Sequence, residues 1–353
     1  MKFFFLRQIL VLGVALPLVA MADARFERWD KNKNGFLEKD ELPSPLRRNF
    51  ERVDANKDGV ISLDEHLKVS GAWQNGGSGN PKNLNYRLIA DIPYAGTDNR
   101  RQALDLLLPE KVESEKYPVV VFIHGGAWRA GSKASGRSKL QKLVAEGRFA
   151  GVSVGYRLSS EAKWPAQIHD CKAAIRWVRA NAEKYKLDAS RIAVWGSSAG
   201  GHLVNMLGVS GGVKELEGAL GPHTNESSRV TCVVNFFGPT KLLAMNDYGG
   251  TMDHDAPDSP ESQLIGGPIQ EHKERANAAS PISYVSKDDA PFLHVHGTKD
   301  PLVPFNQAEI FHSALKQKGV STILYPVEGA GHGFRELAVD KRVTEFLEQH
   351  LLE

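Results

Sequence analysis

The chain has 353 residues, 41% of them apolar and 24% charged, with a formal net charge of +2. That length accommodates one large domain and a smaller one, and the ordinary composition supplies an ample core. Charge is spread without a basic run, which excludes nucleic acid as a partner.

Residues 1–22 read as a signal peptide. Lys2 and Arg7 precede an apolar run from Ile9 to Met21, and Ala20-Met21-Ala22 is a small-x-small cleavage site. The run is too short to span a bilayer, so the mature chain is expected to be secreted or periplasmic and without a membrane anchor. Cys171 and Cys232 are the two cysteines. Both stand in apolar patterns and are expected as buried thiols; two cysteines are too few for a disulfide-stapled scaffold.

A repeat with a period of 24 residues follows: Phe26-Glu-Arg-Trp-Asp30 through Glu41 aligns with Phe50-Glu-Arg-Val-Asp54 through Glu65. Each copy satisfies D-x-[DN]-x-[DN]-G-x5-E. A hard cation such as Ca²⁺ requires about six to eight oxygens. Asp30, Asn32, Asn34, the Phe36 carbonyl and Glu41 would supply them in the first loop. Asp54, Asn56, Asp58, the Val60 carbonyl and Glu65 would do so in the second. Leu37 and Ile61 would pair across the two loops. The segment resembles the EF-hand family in its short-spaced form, and its period is also similar to dockerin repeats. That resemblance implies calcium as a structural or docking ion, with a protein partner as one use of the pair. The expected calcium unit is 23–70. Residues 71–83 are rich in Gly, Asn and Ser and predict a linker reaching roughly 20 Å, with no fixed interface between the domains.

Strand patterns then alternate with helical ones over 84–353. Strands are expected at 86–92, 104–108, 119–123, 150–154, 192–195, 230–236, 292–295 and 323–325. Helices are expected at 135–146, 164–185, 199–209, 305–318 and 338–351. The inner strands are continuous apolar runs, the mark of a parallel sheet covered on both faces. The fold class is therefore α/β, with sites at the carboxyl ends of strands. The segment 238–290 is long for a connection and is expected to act as a cap over that edge.

Three strand ends carry chemistry. Ile192-Ala-Val-Trp-Gly-Ser-Ser-Ala-Gly-Gly-His202 is a strand, a tight G-x-S-x-G turn and a helix, with Ser198 at the apex as nucleophile. The backbone N–H of Ala199 opens the helix, where an oxyanion finds donors and positive dipole. His124-Gly-Gly-Ala-Trp128 ends an earlier strand. Gly125 and Gly126 there offer a second oxyanion amide, worth about 3–4 kcal/mol. Trp128 would line the substrate pocket or simply pack, and His124 would hold the loop. Asp300, just past a later strand, would orient an imidazole, ahead of Asp288, Asp289 and Glu328 as rivals. Among 12 histidines, His332 alone follows that acid at a strand end inside a glycine loop. His202, His294 and His296 are expected to pack around the elbow.

Taken together, HGGAWRAGSK, GYRLS, WPAQIHDCKAAIRWVRANA, RIAVWGSSAGGH, SPESQLIGG, ASPISYVS, HGTKDPLVP and GAGHGF resemble the α/β-hydrolase superfamily from about Tyr86 onward. Within it they are similar to secreted feruloyl and acetyl-xylan esterases and to the hormone-sensitive-lipase-like group. The resemblance implies a mostly parallel eight-stranded sheet and a serine esterase acting through an acyl-enzyme without a catalytic cofactor. Ser198 would be nucleophile, His332 base then acid, and Asp300 its orienter. The sequence has HGGAW where the lipase-like group has HGGG, so no third-glycine donor is carried over. A peptidase of the same fold and a non-catalytic calcium-dependent binding protein remain the alternatives.

Overall fold

The computed structural model describes residues 24–43, 47, 50–63, 65–66, 86–110 and 114–353. The expected leader and linker lie outside the described residues. In the small N-terminal unit, α1 (Ala24–Trp29) precedes β1 (Phe36–Leu37), and α2 (Phe50–Val53) precedes β2 (Ile61–Ser62). The two short strands pair antiparallel with Leu37 opposite Ile61, the register expected from the repeat. Phe26, Leu37, Leu42, Phe50 and Ile61 form its core.

The large unit is one sheet built from β3 (Tyr86–Pro93), β4 (Ala103–Pro109), β5 (Tyr117–Ile123), β6 (Ala150–Val154), β7 (Leu187–Ser197), β8 (Cys232–Phe236), β9 (Phe292–Gly297) and β10 (Thr322–Val327). Their order across the sheet is β10-β9-β8-β7-β5-β6-β4-β3. Strands β5 to β10 are mutually parallel, while β3 and β4 add on antiparallel. Helices α3 (Ala134–Ala145), α4 (Ala166–Ala180), α5 (Ala182–Tyr185), α6 (Ala199–Val209), α7 (Lys214–Glu217), α8 (Pro260–Ile265), α9 (Lys273–Ala278), α10 (Asn306–Gln317) and α11 (Leu337–Leu351), with 3-10 turns at Leu242–Ala244 and Pro281–Tyr284, complete the described elements.

Continuous apolar strands are buried on both sides. Val119, Val121 and Ile123 of β5 face α4, α6 and α10 through Ile175, Leu203 and Phe311. Val120 and Phe122 face the other way, toward Leu140 of α3 and Phe346 of α11. Burying each such side chain contributes about 1.5–3 kcal/mol, and this two-sided covering holds the sheet. Cys171 and Cys232 are buried and free. Among the described residues no helix is long and apolar enough to cross a membrane.

Two features depart from the expected pattern. The helix predicted over 164–185 divides at Asn181, whose side-chain amide bonds the Trp177 carbonyl at 2.9 Å. An Asn side chain so placed competes with the backbone ladder and ends the helix. The small unit also touches the large one, where no fixed interface was expected. The Arg100 guanidinium lies 5.9 Å from the centre of the Phe36 ring and 3.8 Å from the Asp58 carboxylate. The expected cap, 238–290, folds as short helices whose neck is closed by Thr240, bonded to Gln307 and accepting from the Ile282 amide.

Two of the resemblance-bearing segments, GYRLS and IHDC, meet in a buried charge pair. Asp170 is fully buried and accepts from the Arg157 amide at 2.8 Å and its guanidinium at 2.7 Å, and from Gln102 at 2.8 Å. Removing one partner of such a pair costs about 3–5 kcal/mol. Asp170→Ala should therefore lower stability in urea by about 3 kcal/mol, the lower end because Arg157 remains partly solvated; a change under about 1 kcal/mol would contradict that role.

Candidate active site

Every expected chemical group falls at the carboxyl end of a parallel strand. Ser198 follows β7 and begins α6 in a left-handed conformation, φ 56° and ψ −123°. Such a backbone costs about 1–3 kcal/mol in a non-glycine residue and persists only where the surroundings enforce it. They do so here. The Ser198 amide donates to the Phe236 carbonyl of β8 at 2.9 Å, and the Ser198 carbonyl accepts from the His202 amide at 2.9 Å. Gly200 is pressed onto the end of β5, where a β-carbon would lie 2.1 Å from the Ile123 carbonyl oxygen. No other residue fits.

That approach brings the loop after β5 against the serine. A β-carbon on Gly125 would stand 3.3 Å from the β-carbon of Ser198. Gly126 has φ +114° and Ala199 is the first residue of α6. The loop is braced from behind. Its His124 ring stacks on Tyr156, centroids 4.2 Å apart, and the Tyr156 hydroxyl donates to the His124 carbonyl at 3.0 Å. Burial pushes the His124 imidazole down to about 3, so it stays neutral and cannot compete for the serine proton.

The imidazole expected as the base stands on the loop after β10. His332 Nε2 lies 3.0 Å from Ser198 Oγ, and Nδ1 lies 2.8 Å from Asp300 Oδ2. With Nδ1–H donated to the carboxylate, Nε2 carries the lone pair that faces the hydroxyl. The Phe237 ring packs 4.6 Å from the imidazole and fixes its plane. Asp300 Oδ1 accepts from the amides of Leu302 and Val303 at 2.9 and 3.0 Å. The two loops are tied by the Lys299 amide, which donates to the Ala330 carbonyl at 2.9 Å. Of the rival acids, Glu328 takes a contact of 3.3 Å from Thr298, and Asp289 bonds Ser286.

The structure specifies the roles of two further residues. Trp128, expected either to line the substrate pocket or to pack, packs: it is 1% exposed and donates its indole N–H to His202 Nδ1 at 3.2 Å. An aromatic ring at that spacing is drawn into the core because His202 offers the acceptor its N–H requires. The same bond makes His202 Nε2 a donor, to the Ala279 carbonyl at 2.6 Å, and burial holds that imidazole down at about 4. His296 does more than pack. Its Nε2 lies 3.3 Å from Asp300 Oδ2 and 2.8 Å from the Val303 carbonyl. Its position one residue before the end of β9, ahead of the Asp300 turn, was the available signal. Burial opposes ionisation of Asp300, yet hydrogen bonds from His296 and His332 outweigh it and hold the carboxyl well below the usual range.

The family follows from sequence and shape together. The BD-FAE model matches residues 104–315. The chain belongs to the BD-FAE family. Esterase LipC of Mycobacterium tuberculosis is 35% identical to this BD-FAE chain over 67% of it and 58% of LipC. A truncated carbohydrate esterase from gut microbiota superposes with a TM-score of 0.72 at 33% identity, covering 78% of this chain and all of that one. A bifunctional GH43-CE of Bacteroides eggerthii gives a TM-score of 0.69 at 38% identity, over 74% of this chain and 38% of that one. The BD-FAE chain spans 58% and 61% of the length of LipC and LipQ, two of its curated relatives. An EF-hand model matches residues 46–65, the second of the two loops.

Among the described residues no group of three or more His, Cys, Asp or Glu is placed to hold a metal. The N-terminal loops draw on Asn and carbonyl oxygens as well, and their donor set fits a hard cation. Asp30, Glu41, Asp54 and Glu65 are all buried, at 5–8% exposure. Glu41 accepts from the amides of Lys31, Asn32 and Glu38, and Asp30 from those of Asn34 and Gly35. Burial raises the Asp30 carboxyl above its usual range, and the Glu41 charge adds to it against the pull of the Gly35 amide. Paired buried carboxylates of this kind call for a cation.

The depressed Asp300 carboxyl carries a pH consequence. Its folded value lies below the unfolded one of about 3.9, so it stabilises the fold above that pH and loses the contribution as pH falls toward the folded value. His296→Leu removes one donor, and the midpoint of acid unfolding, followed by circular dichroism, should move to higher pH. An unmoved midpoint would remove His296 from that role.

Proposed function

We propose that this chain is a serine esterase that hydrolyses carboxylic esters through an acyl-enzyme at Ser198. The observation that carries the reading is the unbroken path Asp300–His332–Ser198, at 2.8 and 3.0 Å. In the acylation step Ser198 Oγ attacks the ester carbonyl and its proton passes to His332 Nε2. Asp300 keeps the tautomer and stabilises the imidazolium. The carbonyl oxygen, now negative, is met by the Ala199 amide with that of Gly125 or Gly126. His332 then returns the proton to the departing alkoxide. Water repeats the sequence on the acyl-enzyme and frees the acid.

The names of the relatives, esterases in each case, favour this over the peptidase reading, which shares the same triad. The substrate we propose is an acyl group, acetyl or feruloyl, carried on a polysaccharide. The carbohydrate-esterase neighbours support that class. The leader expected over 1–22 supports action outside the cytoplasm. Calcium would be held by Asp30, Asn32, Asn34, Phe36 O and Glu41, and by Asp54, Asn56, Asp58, Val60 O and Glu65. It would neutralise the buried carboxylates and cross-link each loop.

Two outcomes test the reading. Ser198→Ala should abolish p-nitrophenyl acetate hydrolysis, and Asp300→Asn should lower kcat by roughly 10⁴, as the wrong tautomer does in related triads; equal rates in Ser198→Ala and the parent would refute the mechanism. Calcium at about 100 times its Kd should add about 2.7 kcal/mol to the stability of the loop pair, and Glu65→Ala should reduce the gain in calorimetry. A scan insensitive to calcium and to chelator would refute the metal assignment.

A further inference from the structure

The first calcium loop and the oxyanion loop meet on one buried side chain. Arg101, in the turn between β3 and β4, is 6% exposed. Its Nη1 donates to the Gly131 carbonyl at 2.9 Å, and its Nε lies 3.1 Å from Glu161 Oε2. Its Nη2 occupies the space above Gly35, where a β-carbon would stand 1.7 Å away. Gly35 is the sixth position of the loop, and its amide donates to Asp30 Oδ2 at 2.7 Å.

On the other side, Gly131 closes the loop that begins at His124. A β-carbon there would lie 2.6 Å from the Gly125 carbonyl oxygen and 2.7 Å from His124 Nδ1. Glu161, the carboxylate partner of Arg101, also accepts from the Leu158 amide at 2.9 Å. The neighbouring Ser159 amide donates to the Trp128 carbonyl at 2.8 Å, so the oxyanion loop is held at Gly131 by this arginine and at Trp128 by the segment that its partner Glu161 caps. Asp30, Gly35, Arg101, Gly131 and Gly125 thus form a chain of contacts from one site to the other.

The guanidinium stands between two acids, Asp30 and Glu161, and each attracts it. A divalent cation on the loop cancels the pull from the Asp30 side and leaves that of Glu161. It also relieves the repulsion between Asp30 and Glu41, which steadies the Asp30 carboxylate that the Gly35 amide bonds. Both effects favour the bond from Arg101 to the Gly131 carbonyl. We infer that Arg101 is a positioning residue that couples calcium in the loop 30–41 to the geometry of the oxyanion loop 124–131, making the cation an effector of the active site. The inference rests on the proposed roles of Ser198 and of the calcium loops, and coupling of this kind acts equally in both directions.

Phenylboronic acid reads the oxyanion site without turnover. Ser198 Oγ forms a bond to boron, its proton goes to His332, and a tetrahedral anion results with no leaving group. Titration calorimetry on the full mature chain should show boronate binding about fivefold tighter or more in calcium than in chelator. Calcium should bind tighter by the same factor in boronate. Arg101→Gln should bind both ligands with that factor reduced to one. Asp30→Asn, which leaves the buried arginine in place, should hold boronate at its chelator affinity whatever the calcium concentration. Equal boronate affinity with and without bound calcium in the parent, or a factor that survives either variant, would overturn the coupling alone. Absence of boronate binding in either condition would remove the Ser198 reading and the coupling with it. Absence of calcium binding would remove the metal assignment and the coupling together.

Discussion

The contact between Gly200 and the end of β5 sets the geometry of everything at this sheet edge. Ser198 is held with φ at 56° because α6 must start hard against the Ile123 carbonyl, and only a chain without a β-carbon at Gly200 can come so close. The same contact places the loop after β5 within reach of the serine. The proposed nucleophile and oxyanion donors are thus parts of one packed corner, and neither can shift without the other. The parallel strands beneath, buried on both faces, supply the rigidity that such a corner needs.

The proposed acid and base, Asp300 and His332, are arranged differently. Both stand on loops, after β9 and β10, and those loops are bonded to one another through Lys299 and Ala330. Asp300 is satisfied by two backbone amides and two imidazoles, so its charge is fixed in place before any substrate arrives. Preorganised charge of this kind costs no rearrangement during the reaction, which is how electrostatic stabilisation is made effective.

Much of this was legible from the residues. Strand and helix positions followed from apolar runs and helical spacing, and the Ser198, Asp300 and His332 positions from turn chemistry at strand ends, because those signals are local. What the residues alone left open concerns partners distant in sequence. Trp128 packs because His202 waits beneath it, 74 positions away. Arg101 is an unremarkable basic residue until Gly35 and Gly131 close over it from either side. Long-range pairings of this sort leave no periodic trace in a single chain.

The small unit changes how the whole molecule is understood. Its two loops are seated on Arg100 and Arg101, so the proposed calcium loops and the proposed catalytic corner share a wall. The central claim, nonetheless, is that the hydroxyl of Ser198 is activated by His332. Its most direct measurement is intact-protein and peptide mass spectrometry after brief exposure to a fluorophosphonate, which reacts only with an activated serine. The account predicts one adduct per chain, on Ser198, absent in His332→Ala. An unmodified chain, or an adduct on another residue, would contradict it.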